Sequence, residues 1–216
     1  ARSENLIDAT QNCDVFVEVS GILNACASSL LKISGDLRLL SSGPEGGFGE
    51  ILLPPQQAGS SIMPGKVNPV IPEAVSQAAM RVMGYSQVIA WACSQGNLEL
   101  NSFLPLIADS LLDSVDLLTK SCEILRRRAI DGLTANESRC RAHVESSTAT
   151  ATALVGVLGY EEASRIAAKA AQTGHTIRAI CLEEGILDEA AFEQLISPEA
   201  VCQLGMPNSP RSPRVL

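Results

Sequence analysis

The feature that most constrains the fold is a long, proline-free run with helical periodicity, from Asn5 to Leu40. Apolar side chains recur there at steps of three and four residues, the spacing that lines one face of an α-helix. At a rise of about 1.5 Å per residue, such a helix extends roughly 50 Å and needs equally long neighbours to cover its apolar face. The predicted stripe consists of Leu6, Cys13, Val17, Leu23, Cys26, Leu30, Ile33, Leu37 and Leu40.

A second long helical pattern begins near residues 69–72, where proline fits the first turn, and continues to about Gln95. Residues 96–105 are expected to kink this helix, because they contain glycine and proline, and helix resumes from Leu106 to about Arg128. Hydrophobic residues make up 46% of the chain but aromatic residues only 3%, a composition that suits closely spaced helix axes. The predicted fold class is all-α, a long-helix bundle followed by a small C-terminal helical domain.

The elements become shorter near Asp131, and we place a domain boundary after that residue. The predicted organisation is a helical-bundle domain at residues 1–131, which contains a loop at 41–69, and a small helical domain at 132–206. Residues 207–216 are rich in proline, serine and arginine and are predicted to form a flexible tail.

Capping signals mark the helices that we predict in the small domain. Thr134 and Glu137 have capping-box spacing, which predicts a helix from Thr134 to about Ser147. Later helices are predicted at residues 160–172, 176–184 and 188–196, with a final turn after Ser197. Gly174 is expected to end the first of these three helices.

Charge and cysteine content restrict the classes of partner. The formal net charge is −8, which disfavours nucleic acid, because phosphate binding requires clustered lysine and arginine. Seven cysteines without a Cys-x-x-Cys pair predict reduced thiols in a cytoplasmic protein. We expect no membrane partner, because no apolar run in the sequence is expected to be long enough to span a bilayer. The chain begins at Ala1 within a helical pattern, and we expect it to be part of a longer protein.

The loop at 41–69 is rich in glycine and proline and longer than ordinary connections, which favours a functional role. Its residues 59–69 read Gly-Ser-Ser-Ile-Met-Pro-Gly-Lys-Val-Asn-Pro. Lys66 supplies a compact positive charge and Asn68 supplies amide donors, and both can bind an anion beside Ser60 or Ser61. From these residues alone, an anion-binding loop with a candidate serine and a purely structural loop remain open alternatives.

The segment 59–69 closely resembles the signature of the aspartase/fumarase superfamily. The resemblance covers nearly the whole chain, because four further segments match that family. These segments are Ala-Thr-Gln-Asn at 9–12, Leu-Arg-Leu-Leu-Ser-Ser-Gly-Pro at 37–44, Gly-Leu-Thr-Ala-Asn-Glu at 132–137 and Leu-Gly-Tyr at 158–160. The resemblance implies elimination across a carbon–carbon bond to give fumarate, with a small dicarboxylate such as L-aspartate as substrate.

The resemblance also implies roles for residues of the loop. Ser60 is the general base that removes a proton next to a carboxylate, and Ser61 contributes hydrogen bonds. Lys66 and Asn68 bind a substrate carboxylate, and Met63 is placed with these substrate-binding residues.

Glu73, one helical turn beyond the loop, matches a family glutamate that pairs with a histidine from another subunit. Its alternative interpretation is a charge that favours a helix N-terminus. The resemblance further implies a homotetramer with shared active sites, and we predict no cofactor and no metal. His143 and His175 are predicted to be surface residues, since isolated histidines form no ligand motif. The family's other anion-binding motifs are missing, so we expect this chain alone to be inactive.

Two branches of the superfamily compete for the assignment. Aspartases, which eliminate ammonia, are resembled by Val-Ile-Pro-Glu at 70–73 and by the segment 132–137. Fumarases usually carry Thr-Gln-Cys-Glu at the positions that correspond to 70–73. Glu99 is more similar to fumarases, and Val155-Gly156 departs from the Asn-Pro of both branches. Fumarate hydratase is therefore one alternative to ammonia-lyase. A non-catalytic helical oligomerisation fragment is a second alternative, from a different class.

Overall fold

The computed structural model describes residues 3–43, 46–57, 67–148 and 150–202. It divides into two compact units, Ala1–Asn136 and Glu137–Leu216. Long helices dominate the first unit and short helices the second, with one two-stranded sheet in the first. The predicted all-α class is confirmed.

Three long helices build the first unit. They are α1 (Asp14–Leu40), α2 (Val70–Cys93) and α3 (Leu104–Leu125), and α2 packs against both of the others. A π-helical turn, Arg126–Ile130, extends α3. The buried core between them consists of small and aliphatic side chains: Ala27, Leu30, Leu37, Val75, Ala79, Val82, Leu118, Leu125 and Ala129.

Serines share this interior and explain how the helices approach closely without aromatic residues. Ser110 and Ser114 on α3 and Ser76 on α2 are buried. The Ser114 hydroxyl donates to the Ser110 carbonyl at 2.6 Å, and the Ser76 hydroxyl donates to the Pro72 carbonyl at 2.8 Å. Because a main-chain carbonyl one turn earlier satisfies the hydroxyls of Ser76 and Ser114, these two serines fill small spaces between helices without an unpaired polar group.

The first helix begins later than predicted. A short 3-10 turn at Asp8–Thr10 precedes α1, which starts at Asp14 rather than near Asn5. The Asn5 side-chain oxygen accepts from the N–H groups of Ile7 and Asp8 at 3.1 and 3.2 Å, and Asn12 accepts from the Asp14 N–H. Asparagine side chains thus compete with helical hydrogen bonds in this segment.

Large apolar side chains remain uncovered on all three long helices. In α1, only 17% of the most apolar 18-residue window is buried, and by length and composition alone this helix could cross a membrane. Our expectation that no apolar run has sufficient length was therefore wrong. The exposed set is Val15, Val17, Val19, Ile22, Ile33 and Leu39 on α1, Met80 and Trp91 on α2, and Leu104, Leu106, Leu112, Val115 and Ile124 on α3.

The predicted kink between α2 and α3 is a complete break organised by a buried asparagine. Asn101 is 2% exposed, and its amide donates to the Ala92 carbonyl at 3.1 Å, at the end of α2. Its side-chain oxygen accepts from the Phe103 N–H at 2.9 Å, just before α3 begins. One side chain therefore satisfies backbone groups at the ends of two helices.

A two-stranded antiparallel sheet, which the sequence did not indicate, joins β1 (Ile51–Leu52) to β2 (Thr134–Ala135). The Thr134 capping box is therefore wrong, because Thr134 lies in a strand and α4 begins only at Glu137. The Asn136 N–H donates to the Glu50 carbonyl at 2.8 Å, which holds this segment on β1. We predicted a boundary after Asp131, and the structural division falls after Asn136, beyond this pairing.

The second unit contains α4 (Glu137–Ser146), α5 (Thr150–Leu158), α6 (Tyr160–Thr173), α7 (Ile177–Glu183), α8 (Glu189–Leu195) and α9 (Pro198–Cys202). Its buried core consists of Leu154, Ala163, Ile166, Ala170, Ile177, Ile180, Cys181, Leu187 and Phe192. Gly174 ends α6 with a φ of +74°, as predicted for a C-terminal glycine. Helix α5 was not predicted, and the proposed tail at 207–216 lies outside the described residues.

The contrast between two glycines gives a test of the first unit's packing. A Cβ at Gly132 would lie 2.7 Å from Cγ of the rigid Pro54 ring, whereas one at Gly156, inside α5, would meet nothing within 4 Å. We expect Gly132→Ala to lower the free energy of unfolding by about 1–3 kcal/mol through overpacking. Gly156→Ala should raise it by about 0.5–1 kcal/mol, because alanine is the better helix former. Denaturant unfolding measures both, and an unchanged Gly132→Ala midpoint would contradict the contact.

An ion-pair cluster on the second unit gives a pH-dependent test. Hydrogen bonds from Arg165, at 2.6 Å, and from Lys169 lower the pKa of Glu184 from 4.5 to about 2. A lowered pKa in the folded state stabilises the fold above about pH 4.5, and this contribution is lost as pH falls towards 2.

Glu184→Gln should therefore flatten the loss of stability between pH 5 and about pH 2, measured by urea unfolding at low salt. Glu161→Gln, at an exposed position in the first turn of α6, removes a carboxylate without a described partner and should keep the wild-type slope. Identical slopes for wild type and Glu184→Gln would contradict the assignment.

Candidate active site

The predicted site residues fall on both sides of a gap in the described structure. Ser60, Ser61, Met63 and Lys66 lie outside the described residues, so their roles stay predictions. Asn68 and Glu73 are described, and both lie at the start of α2. The structure describes the two stems that lead into and out of residues 58–66.

The N-terminal stem is held by several backbone contacts. The Glu50 N–H donates to the Leu40 carbonyl at 2.9 Å, which joins the stem to the end of α1. Strand β1 then pairs with β2, and the chain continues through Pro54 to Gln57. The Gln56 amide donates to the Arg128 carbonyl at 3.1 Å. The entry to the loop is thus fixed to the ends of two long helices.

The C-terminal stem passes directly into α2. The Val70 N–H donates to the Asn68 carbonyl at 2.8 Å, and the Glu73 N–H donates to the Pro69 carbonyl at 3.1 Å. Pro72 in the first turn removes an N–H that would have no helical partner, which explains why the helix can begin there. Asn68 is half-buried and lies two residues before Val70, the first residue of α2. An amide donor at this point can add to the positive end of the helix dipole.

Both stems meet at a small cleft in the first unit. Its lining residues are Leu53, Pro54, Gln56, Asn68, Pro69, Val70, Ile71, Pro72, Arg128 and Ala129. The cleft combines an apolar wall of proline and aliphatic side chains with the amides of Gln56 and Asn68. The accessible volume of this cleft is about 10 Å³, room for about one water molecule. The two stems therefore pack against each other here, with both amides among the lining residues.

Glu73 lies in the first turn of α2 and is half-buried. Within the described ranges, no hydrogen bond or ion pair joins its carboxylate to another side chain. Its negative charge favours the helix N-terminus by the dipole effect. A carboxylate in this position is also available to a cation from outside the described chain, so both interpretations made from the sequence stay predictions.

The two histidines and the two stems belong to different units of the structure. Both histidines belong to the second unit, where His143 lies in the last turn of α4 and His175 is exposed, with Nδ1 3.7 Å from a Glu183 carboxylate oxygen. Among the residues that the structure describes, no group of three His, Cys, Asp or Glu side chains is arranged to hold a metal ion.

Sequence reasoning missed Gln56, Arg128 and Gly132. Gln56 donates to a main-chain carbonyl 72 residues away. Every residue has such a carbonyl, so no sequence motif can identify the acceptor. Gly132 carried a weak signal, since glycine after a helix is common, but its contact with Pro54 depends on tertiary packing.

Comparison with known proteins gives two family matches. The Lyase family model matches residues 1–84, and the Fumarase C C-terminus model matches residues 151–203. The chain is 49% identical over 195 residues to an aspartate ammonia-lyase from Pseudomonas canavaninivorans, covering 90% of this chain and 41% of that protein. It is 41% identical to an aspartate ammonia-lyase from Bacillus subtilis, covering 94% of this chain and 43% of that one.

Solved structures agree with this similarity. A fumarate lyase:delta crystallin from Brucella melitensis, bound to cobalt, is 47% identical with a TM-score of 0.84, over 90% of this chain and 42% of its own. A class II fumarase from Schistosoma mansoni is 33% identical with a TM-score of 0.82, over 96% of this chain and 43% of its own. The chain spans about two fifths of the length of the curated relatives given above. It belongs to the aspartase/fumarase superfamily and resembles the aspartate ammonia-lyases given above at 41–49% identity.

Proposed function

We propose that this chain is the C-terminal part of an aspartate ammonia-lyase, which eliminates ammonia reversibly from L-aspartate to give fumarate. The observation that carries the proposal is the similarity to aspartate ammonia-lyases along most of the chain, including the motif at residues 59–69. Because the chain spans only part of such a protein, the complete active site requires further segments, and this chain alone is inactive.

In the proposed mechanism, Ser60 acts as the general base. Its deprotonated hydroxyl takes the proton from the carbon next to a substrate carboxylate, and the electron pair of the broken C–H bond moves into that carboxylate. The resulting aci-carboxylate carries an additional negative charge. Its electrons then form the carbon–carbon double bond, the C–N bond breaks, and nitrogen leaves as ammonia.

The negative charge that develops during this reaction is stabilised by Lys66, Asn68 and Ser61. Preorganised donors and cations at such a site stabilise the transition state by roughly 3–4 kcal/mol each. A nearby cation also favours the serine oxyanion, since opposite charge lowers a pKa. The proposed role of Asn68 in binding a carboxylate is supported by its position in the cleft and beside the start of α2, where the helix dipole attracts carboxylates. Met63 is assigned to substrate contact because it lies within the same motif.

We propose a homotetramer with active sites shared between subunits. Its support is the uncovered apolar surface of α1, α2 and α3, which a soluble chain rarely leaves exposed over such an extent. Glu73 would pair with a histidine from another subunit, which agrees with its lack of a partner in the described chain. We place the enzyme in the cytoplasm, where reduced thiols persist, since the six cysteines with described side chains are free.

Two alternatives each have one supporting observation. Fumarate hydratase is favoured by the similarity to a class II fumarase and by Glu99. A non-catalytic assembly fragment is favoured by the exposed apolar faces, which would allow association whether or not catalysis occurs. The two enzymatic functions differ in the leaving group, ammonia or water, so substrate choice separates them.

The substrate test measures fumarate absorbance with the full-length protein and either L-aspartate or L-malate. We expect fumarate from L-aspartate, because the segments after the loop resemble those of ammonia-lyases. Fumarate from L-malate alone would establish the hydratase, and no fumarate from either substrate would favour the assembly fragment.

Replacement of the proposed base gives the second test of the full-length enzyme. Ser60→Ala should reduce kcat by about 10²- to 10⁴-fold, the usual contribution of a general base, while circular dichroism and assembly remain as in wild type. Ser61→Ala, the neighbouring control, should cost less, because Ser61 contributes only hydrogen bonds. If Ser60→Ala retains activity and Ser61→Ala loses it, the base is Ser61.

A further inference from the structure

Among the described residues, Gln56 forms the one side-chain hydrogen bond that joins the N-terminal stem, residues 51–57, to the turn at the end of α3. Its Nε2 donates to the Arg128 carbonyl at 3.1 Å and lies 3.4 Å from the Pro54 carbonyl within the stem itself. Both partners are backbone oxygens, whose positions are fixed by the elements that contain them. One side-chain amide therefore connects two backbone segments that are far apart in sequence.

The Arg128 carbonyl is available because of the π turn at the end of α3. The last carbonyls of a helix lack partners within the helix. Beyond this turn, the Asp131 N–H donates to Arg126 at 2.9 Å and the Leu133 N–H to Ile130 at 3.1 Å, so neither bond uses Arg128. Gln56 satisfies this remaining acceptor. Single π turns inside helices also occur frequently at functional sites.

A second contact holds the same stem against the same turn. Pro54 packs so closely on Gly132 that no Cβ could be accommodated there without movement of the proline. Gln56, Pro54 and Arg128 all line the cleft that Asn68 also lines. The position of one wall of this cleft relative to Asn68 is therefore set by where the stem meets the π turn.

We propose that Gln56 is a positioning residue for the reaction: its bond to the Arg128 carbonyl fixes the cleft wall that faces Asn68, and it thereby controls substrate carboxylate binding. This proposal rests on the proposed function of Asn68. Gln56 itself does not contact the reacting atoms. Its loss changes mainly the KM for L-aspartate, because the geometry of carboxylate binding is altered while the base remains present.

The test uses full-length protein with three variants. Gln56→Met keeps the length of the side chain but removes the donor, and Gln56→Lys restores a donor that can reach the same carbonyl. Gln77→Met, at an exposed position of α2 without a described hydrogen bond, is the matched control for the substitution. We expect Gln56→Met to lower kcat/KM about three- to tenfold, mostly through KM, in line with one hydrogen bond. Gln56→Lys should recover most of this loss, and Gln77→Met should match wild type.

Hydrogen–deuterium exchange provides a readout that needs no substrate. In Gln56→Met, amides of residues 51–57 should exchange faster than in wild type, and those of α1 should not change. Unchanged exchange would overturn the proposed contact, even if the wild-type enzyme proves inactive on L-aspartate. The positioning role would be overturned if Gln56→Met exchanged faster but kept the wild-type kcat/KM. It would also be overturned if Gln56→Lys failed to restore the KM that Gln56→Met raises.

Discussion

The close approach of long helices through small side chains is the constraint on which the rest of this structure depends. Alanine and serine occupy the contacts between α1, α2 and α3. The hydroxyls of Ser76 and Ser114 are satisfied by carbonyls on their own helices, whereas the buried Ser34 hydroxyl has no hydrogen-bond partner among the described residues. This packing needs few large side chains inside the chain. Many large apolar side chains lie instead on the outer faces of the same helices, where none of the described residues covers them.

The position of the candidate active site follows from where these helices end. The Leu40 carbonyl at the end of α1, the first turn of α2 and the π turn after α3 all bond to the stems of the loop. Helix ends provide unpaired backbone groups, and the stems use them as hydrogen-bonding partners. A loop that would otherwise be costly to order is thus tied at its base to the most rigid part of the unit. The amides of Asn68 and Gln56 then meet in one cleft.

The sequence predicted those parts of the fold that local chemistry determines. Proline at 69–72 marked the start of α2, Gly174 marked the end of α6, and Thr176 and Asp188 cap the helices that follow them. The errors arose where a distant partner decided the outcome. Thr134 had the spacing of a helix cap, yet pairing with Leu52 placed it in a strand. Asn5 and Asn12 lie in an apolar pattern of helical period, but their side chains satisfy the backbone before a helix can begin.

For the candidate site, the motif at 59–69 identified the loop and its family, but the contact of Gln56 with a carbonyl beyond α3 could not be predicted from any residue type.

The pairing of β1 with β2 has a further consequence during synthesis of the chain. Ile51 pairs with Ala135, and all of α2 and α3 lies between these two residues along the chain, so the pairing closes a long segment. During synthesis, the stem of the loop cannot assume its final register until residue 135 has left the ribosome. The stem of the candidate site therefore completes its strand pairing only after the residues of α2 and α3 have been synthesised.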